Sequence, residues 1–163
     1  MQYKESKFID KSNWKNGEWD YEPDKIQFVD QATGYPCLVL RGPVSSLCGY
    51  VGVYPSHPFF NKDCSELDIN VHGGLTYSDK SGLKSMKDGI WVELEEGDEK
   101  NIWWFGFDCG HIGDIQPKFL FSNLFVHDIS SKYRNVEYVK SEVISLAGQL
   151  KTFEKKRPKA SKF

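Results

Sequence analysis

The sequence predicts one α+β domain, in which an antiparallel or mixed sheet of about five strands carries a C-terminal helix on one face. Short apolar segments separated by Gly, Pro and Asn turns are typical of strands. From Tyr133 to Phe153, apolar residues recur at alternating steps of three and four, as on one side of a helix. A length of 163 residues with 39% hydrophobic residues fits one globular domain.

Turn signals and apolar runs locate the elements before the helix. Asn16-Gly17 predicts a hairpin turn. Residues 61–66 predict a short helix or turn, and residues 78–89 predict a loop. The near-continuous apolar run Asn101–Asp108 predicts a strand buried on both faces. The strand candidates are Ile26–Val29, Cys37–Arg41, Leu47–Tyr54, Leu67–Val71, Ile90–Leu94 and Asn101–Asp108.

Two further patterns concern packing. Gly49 and Gly52 interrupt one strand candidate and predict a bulge, or a close approach by another backbone or a ligand. The helix stripe predicts packing on the sheet, and a helix-mediated homo-oligomer is the alternative. The stripe consists of Val136, Val139, Val143, Leu146, Leu150 and Phe153.

Charge is distributed unevenly along the chain. Residues 155–163 carry five positive charges and no acid, so residues 1–154 carry −7 of the total net charge of −2. An acidic body argues against a broad nucleic-acid surface. We expect residues 1–154 to form the domain and residues 155–163 to form a disordered basic tail. No apolar run approaches a membrane span, and the N-terminus lacks a signal peptide, so we expect a cytoplasmic protein.

The four cysteines show no metal-binding or redox spacing. They are irregularly placed, and no Cys-x-x-Cys pair occurs among Cys37, Cys48, Cys64 and Cys109. Without an export signal we expect reduced thiols, most of them small core residues.

Polar residues that could carry chemistry follow two of the apolar segments. Val71–Ser78 contains His72, Gly73 and Gly74, and Trp103–Asp114 ends in Asp, Cys, Gly and His residues. Glycines after a strand allow backbone N–H groups to approach a ligand, and sites commonly lie where strands lead into loops. The two segments therefore predict a polar site, provided that they meet in space.

Three chemistries fit these residues, and a structural role in hydrogen bonding and turn capping is the alternative to all three. His72, Asp108, His111 and Asp114 could hold a divalent metal, or could perform acid–base chemistry on a phosphodiester. Cys109 could act as a nucleophile with a neighbouring histidine as base.

In the third chemistry, non-catalytic binding, His72 and the Gly73-Gly74 turn would hold phosphate, and Asp108 and Asp114 would accept ribose hydroxyls. An aromatic side chain such as Trp103, Trp104, Tyr54 or Tyr77 would stack on a base. The sequence contains neither Gly-x-x-x-x-Gly-Lys nor Gly-x-Gly-x-x-Gly.

Over residues 47–151 the sequence resembles a family of short, mostly uncharacterised phage and prophage proteins. The resemblance is carried by Gly49–Val53 with Ser56-His57-Pro58, by Val71–Tyr77, by Trp103–Asp114, by Tyr133–Val136 and by the helix from Tyr138 to Leu150. It implies a phage protein that acts in the host cytoplasm. Small phage proteins with a polar pocket include some that neutralise nucleotide immune signals by sequestration or cleavage. A role of this kind is expected here by analogy with that biological setting and not from particular residues.

We therefore expect an anti-defence protein that sequesters a cyclic nucleotide or an ADP-ribose derivative and needs no cofactor. The first alternative is a hydrolase of such a signal, dependent on a divalent metal or on acid–base groups. The second is a protein–protein inhibitor of a host factor that uses exposed aromatic residues and the helix. The predicted ligand-binding residues are His57, His72, Gly73, Gly74, Tyr77, Trp104, Asp108, Cys109, His111 and Asp114, and a catalytic role would fall to His72, Asp108, His111 and Asp114.

Overall fold

The most apolar segments of the sequence form the centre of an antiparallel sheet in the computed structural model, which describes residues 1–80, 92–120 and 129–155. Six strands lie in the order β1-β2-β3-β4-β6-β5, so the prediction of about five was one too few. In chain order, the strands are β1 (Lys4–Ser6), β2 (Lys25–Val29), β3 (Pro36–Arg41), β4 (Leu47–Val53), β5 (Tyr77–Lys80) and β6 (Trp103–Asp108). The two edge strands are short and carry charged residues, which discourages pairing with another chain.

Helix α1 (Val136–Lys155) packs across β3 and β4 on one face of the sheet. The predicted stripe is buried there, with Val139, Val143, Leu146 and Leu150 inaccessible to solvent. The α+β class and the packing of the helix on the sheet are thus confirmed. Because the stripe is covered by the sheet, it offers no apolar face for a helix-mediated dimer.

Both faces of the central strands are covered, as the apolar run of β6 predicts. Phe105 and Phe107 face the helix, whereas Trp104 joins a second apolar cluster with Leu38 and Leu40 on the opposite face. Alternate residues of a strand point to opposite faces, so a strand buried on both faces needs a continuous apolar sequence.

Gly49 marks a close approach between the sheet and the helix. A Cβ atom at this position would lie 2.5 Å from the Phe107 ring and 2.6 Å from Val143 Cγ2. The close approach at Gly49 is therefore made by side chains of β6 and α1, and not by another backbone or a ligand as predicted. Gly52 is crowded in the same way by Ile102 and Pro36.

The predicted strand Leu67–Val71 is wrong: this segment is extended but pairs with the helix. The Gln149 side chain accepts a hydrogen bond from the Asn70 N–H and donates one to the Asn70 carbonyl. Glu142 accepts the His72 N–H at 2.8 Å. Side chains of α1 therefore replace a neighbouring strand, which the local apolar pattern could not indicate.

Other predictions before the helix need correction. Strand β5 begins at Tyr77, in a segment predicted to be mostly loop. Residues 92–94 form no strand, because the Gln27 side-chain amide bonds both the N–H and the carbonyl of Glu93. The other residues of that predicted strand, Ile90 and Trp91, lie outside the described residues.

The predicted hairpin at Asn16-Gly17 is also wrong. A three-residue 3₁₀ helix (Glu18–Asp20) follows Gly17 instead, because the Trp19 ring folds back over that glycine and is buried. The short 3₁₀ helix Cys64–Glu66 agrees with the helix or turn predicted for residues 61–66. Of the predicted tail, residues 156–163 lie outside the described residues.

A buried ionic network holds the N-terminal segment against the start of the helix. The guanidinium of Arg41 donates to Asp24 at 2.9 Å, to Glu22 at 3.1 Å and to the Tyr133 hydroxyl at 2.9 Å. Glu22 also accepts the N–H of Val136, the first residue of α1, at 2.8 Å. The helix therefore begins at a position that is fixed by the β2 and β3 region.

Candidate functional site

Asp114 is the centre of the candidate site. Its side chain is 2% exposed, and its carboxylate contacts three residues from three parts of the chain. Oδ2 lies 2.7 Å from His72 Nε2 and accepts the backbone N–H of His111 at 3.1 Å, while Oδ1 accepts the Nε–H of Arg134 at 2.9 Å. We call His72, His111, Asp114 and Arg134 the Asp114 cluster. The two segments singled out in the sequence therefore meet in space.

The Asp114 carboxyl is stabilised in its charged form. Burial alone would raise its pKa, but the hydrogen bonds from Arg134 and His72 outweigh burial, and the pKa lies below its ordinary value. The same contact raises the pKa of Arg134. Asp114 is thus a buried anion that orients the groups around it.

His72 is held at both ring nitrogens. Nε2 contacts Asp114, and Nδ1 lies 3.0 Å from the hydroxyl of Tyr138. A neutral ring that donates from Nε2 to the carboxylate and accepts at Nδ1 from the phenol satisfies all of these groups. Its backbone is also fixed, because the His72 N–H donates to Glu142.

Gly73 provides the space for His111. Gly73 has φ +67°, and a Cβ atom there would lie 2.1 Å from His111 Cε1. Gly74 also has a positive φ, +84°, but a Cβ atom there would meet nothing within 4 Å. The two glycines therefore form an open left-handed turn, and only the first is also required by a neighbouring side chain.

His111 is the accessible imidazole of the cluster. Its side chain is 37% exposed, and its ring centroid lies 5.4 Å from that of His72. Nδ1 points inward, 3.6 Å from Asp114 Oδ2 and 3.9 Å from Asp108 Oδ1, and it is buried without a hydrogen bond to any described residue. Asp108 itself is 40% exposed and caps the turn, accepting from the Gly110 N–H and the Thr76 hydroxyl.

Three residues of the site were not recognised in the sequence. Arg134, Tyr138 and Glu142 lie at or just before the first turns of α1, and their spacing of four places them on one side of the helix. The guanidinium of Arg134 also lies 4.7 Å above the Tyr138 ring. The signal in the sequence that could have identified them is the four-residue spacing of these polar residues beside the apolar stripe.

Four of the predicted ligand-binding residues lie away from the cluster or face the core. His57 is buried near the C-terminal end of α1, with Nε2 3.0 Å from the carbonyl of Leu150. Trp104 is buried in the apolar cluster on the opposite face of the sheet, and Tyr77 packs against that cluster. The Cys109 thiol belongs to the core under α1, where burial raises its pKa, so it is not an activated nucleophile. All four cysteines are free.

Two surface grooves lie elsewhere on the protein. The larger, of about 450 Å³, runs beside the start of α1, and its lining includes Tyr3, Tyr21 and four glutamates. The other lies between Trp14 and Lys118 and has about 410 Å³. Neither contains a residue of the Asp114 cluster.

Comparison of the chain with protein-family models, with curated proteins and with solved structures found no match. Within the described part of the chain, no helix is both long and apolar enough to cross a membrane. The candidate site therefore has to be interpreted from its own geometry.

Proposed function

We propose that this protein binds a small phosphate-bearing molecule of the nucleotide type at the Asp114 cluster and acts by sequestering it. The observation that carries the proposal is that a partly exposed imidazole, His111, and a partly exposed guanidinium, Arg134, both lie beside one buried carboxylate, Asp114, at 3.6 Å and 2.9 Å. Both groups are common ligands of phosphate in proteins.

The guanidinium is suited to this role because only one of its nitrogens is occupied by Asp114. Arg134 donates to Asp114 through Nε, and its two terminal nitrogens form no hydrogen bond with the described residues, so they can make a planar, bidentate contact with phosphate. Its side chain is 27% exposed, which gives a ligand access to it. The open turn at Gly73 and Gly74 lets phosphate oxygens approach the backbone without a side chain in the way.

We assign to Asp108 the role of accepting hydrogen bonds from hydroxyl groups of the ligand. This carboxylate is 40% exposed, whereas Asp114 is buried and already accepts hydrogen bonds from the protein. Two of the aromatic residues expected to stack on a base, Trp104 and Tyr77, lie at the other face of the sheet. The proposal therefore concerns the phosphate and the hydroxyls of the ligand and leaves its base open.

The biological setting comes from the resemblance to phage and prophage proteins. In that setting, we propose that the ligand is an immune signal of the host, a cyclic nucleotide or an ADP-ribose derivative, and that binding lowers its free concentration. The small size of the chain and the partial exposure of Asp108, His111 and Arg134 are compatible with stoichiometric capture.

The test is to incubate the purified protein with a panel of cyclic dinucleotides and ADP-ribose derivatives, then to denature it by heat and analyse the released molecules by mass spectrometry. We expect one class to be depleted from solution and recovered intact. Arg134→Gln is expected to abolish capture, and Ile112→Ala, a change at a fully exposed neighbour, is expected to preserve it. Depletion of no panel member would contradict the proposal.

Hydrolysis of the same ligand is a second candidate, favoured by the position of His111. An imidazole accessible to solvent lies 3.9 Å from Asp108, so it could transfer a proton to or from a phosphate ester. Recovery of the ligand with a changed mass, at more than one equivalent per protein, would replace sequestration by catalysis. Intact recovery would exclude catalysis for that ligand.

A further inference from the structure

We infer that the Asp114 cluster binds a divalent transition-metal cation of the Zn²⁺ type between His72, His111 and Asp114. The inference deepens the proposed function, because the cation would be the group that attracts phosphate. Only this last step rests on the proposed function, whereas cation binding itself is argued from the three side chains.

The donor atoms are close enough to share one ion. One ligand atom from each of the three residues lies within 4.8 Å of the other two. His72 Nε2 is 2.7 Å and His111 Nδ1 is 3.6 Å from the same carboxylate oxygen, Asp114 Oδ2. Zinc–ligand distances of about 2.0–2.2 Å require donor atoms to lie about 3.3 Å apart in a tetrahedron. Shifts of about 1 Å would therefore bring all three into coordination.

The chemistry of the donors agrees with a transition metal. Two imidazoles and one carboxylate suit zinc and its neighbours better than calcium or magnesium, which prefer oxygen ligands. Three protein ligands leave a fourth position for water or a ligand oxygen, as in zinc sites that bind substrates.

The outer contacts of the cluster are those that metal ligands commonly have. His72 contacts the Tyr138 hydroxyl through its other ring nitrogen, and Arg134 holds the second oxygen of Asp114. Such partners fix the ligand orientation and tune its basicity. Gly73 leaves the space that the His111 ring occupies.

The inward nitrogen of His111 distinguishes this arrangement from a purely structural network. Hydrogen bonds account for both ring nitrogens of His72 and both oxygens of Asp114. Within residues 1–80, 92–120 and 129–155, His111 Nδ1 is buried without a hydrogen-bond partner, although it lies 3.6 Å from Asp114 Oδ2. Buried polar atoms rarely stay unpaired, and a cation between these groups would give this nitrogen a partner.

A cation would also supply the positive charge that phosphate binding requires at this site. Among the described residues that contact the cluster, Asp108, Asp114 and Glu142 supply three carboxylates, whereas Arg134 supplies the one permanent positive charge. This balance repels an anion. A divalent ion at the centre would neutralise the excess and offer an open coordination position to a phosphate oxygen.

The test measures cation binding in the absence of any other ligand. Protein treated with a chelator and desalted is titrated with Zn²⁺ by calorimetry, and with Co²⁺ while the visible absorption of the ion is recorded. We expect one equivalent to bind and the Co²⁺ bands to be those of a four-coordinate site. His111→Ala should weaken binding by more than about 100-fold, because it removes a direct ligand.

Ile112→Ala is the matched control, since its side chain is fully exposed in the same loop. It should bind Zn²⁺ like the unchanged protein. His111 is partly exposed, so its replacement should leave the fold intact, and circular dichroism of both variants verifies this. Absence of saturable binding, or equal affinity of the His111→Ala variant and the unchanged protein, would overturn the inference.

Capture of nucleotides with and without the chelator separates the two proposals. Capture that persists without any cation would remove the metal from the mechanism and leave the proposed function standing. Stoichiometric Zn²⁺ binding with no capture of any panel member would support the metal site and contradict the proposed function.

Discussion

His72 and Asp114 are 42 residues apart in the sequence, yet the His72 Nε2 and Asp114 Oδ2 atoms lie 2.7 Å from each other. The contact joins the segment before β5 to the loop after β6, and Arg134 and Tyr138 extend it to the start of helix α1. Three separate parts of the chain thus meet on one carboxylate, and this meeting makes the polar residues of the two segments a candidate site.

Tyr138→Phe is expected to weaken Zn²⁺ binding without unfolding the protein. The change removes the hydroxyl that lies 3.0 Å from His72 Nδ1 but keeps the ring on which Arg134 rests. Loss of such an outer partner typically lowers metal affinity by about 10–100-fold. Competition with a chromophoric chelator measures the affinity, and an unchanged value would show that the hydroxyl does not tune His72.

The two glycines of the left-handed turn form a matched pair. Gly73→Ala and Gly74→Ala both place a Cβ atom at positive φ, which costs about 1–2 kcal/mol. Only Gly73→Ala brings that atom to 2.1 Å from the His111 ring. We expect urea denaturation to show a greater loss of stability for Gly73→Ala, and Zn²⁺ titration to show weaker binding for Gly73→Ala alone. Equal behaviour of the two variants would mean that His111 can move without consequence.

Arg41→Met is expected to destabilise the fold strongly. The guanidinium is buried between Asp24 and Glu22, so its removal takes a charged hydrogen-bond donor from each of two largely buried carboxylates. Removing one partner of a buried ion pair costs about 3–5 kcal/mol of stability. Urea denaturation gives the free energy of unfolding for this variant and for its control.

Lys62→Met is the control for this cation-to-methionine change. Lys62 pairs with Glu66 on the surface, where both side chains are about half exposed. An exposed pair of this kind contributes less than about 1 kcal/mol. Similar losses in the two variants would argue against the importance of the buried network.

Acid is expected to destabilise the protein through Asp24. Burial would raise the pKa of its carboxyl, but hydrogen bonds from Lys11, from the backbone N–H groups of Ile9 and Phe8 and from Arg41 outweigh burial and hold the pKa below 3.8. The unfolded chain therefore takes up the proton first as the pH falls. The stability contributed by Asp24 is present above pH 3.8 and is lost progressively below it.

Asp24→Asn isolates this effect. The variant should be less stable at neutral pH, because the charged hydrogen bonds are weakened, and its stability should fall less steeply below pH 4 than that of the unchanged protein. Urea denaturation at several pH values measures both slopes. If the free energy of unfolding falls equally steeply with pH in both proteins, other carboxyl groups cause the loss of stability in acid.

Gly49→Ala tests how tightly the helix packs on β4. The added methyl would meet Phe107 and Val143 within 2.6 Å, and such overpacking costs about 1–3 kcal/mol. Val143→Ala removes one of the two obstacles. The double variant should therefore be more stable than the sum of the two single losses predicts, as a double-mutant cycle can measure. If the two losses of stability simply add, the methyl group added at Gly49 clashes with Phe107 alone.

The sequence by itself determined the elements whose signals are local. The steps of three and four that end at Phe153 place a buried stripe on one helix, and the continuous apolar run of β6 predicts burial on both sheet faces, as the structure shows. Periodicity is a property of neighbouring residues, so it can be read without knowledge of the fold.

Tertiary structure alone decided which polar residues act together. The sequence could not tell that Leu67–Val71 pairs with a side chain of α1 rather than with a strand, because Gln149, the partner of Asn70, lies 79 residues away. It also grouped Trp104 with the site, although strand alternation turns this side chain to the opposite face. Arg134, Tyr138 and Glu142 gain a possible function only when the sheet brings Asp114 and His72 beside them, since contacts between distant segments leave no local pattern.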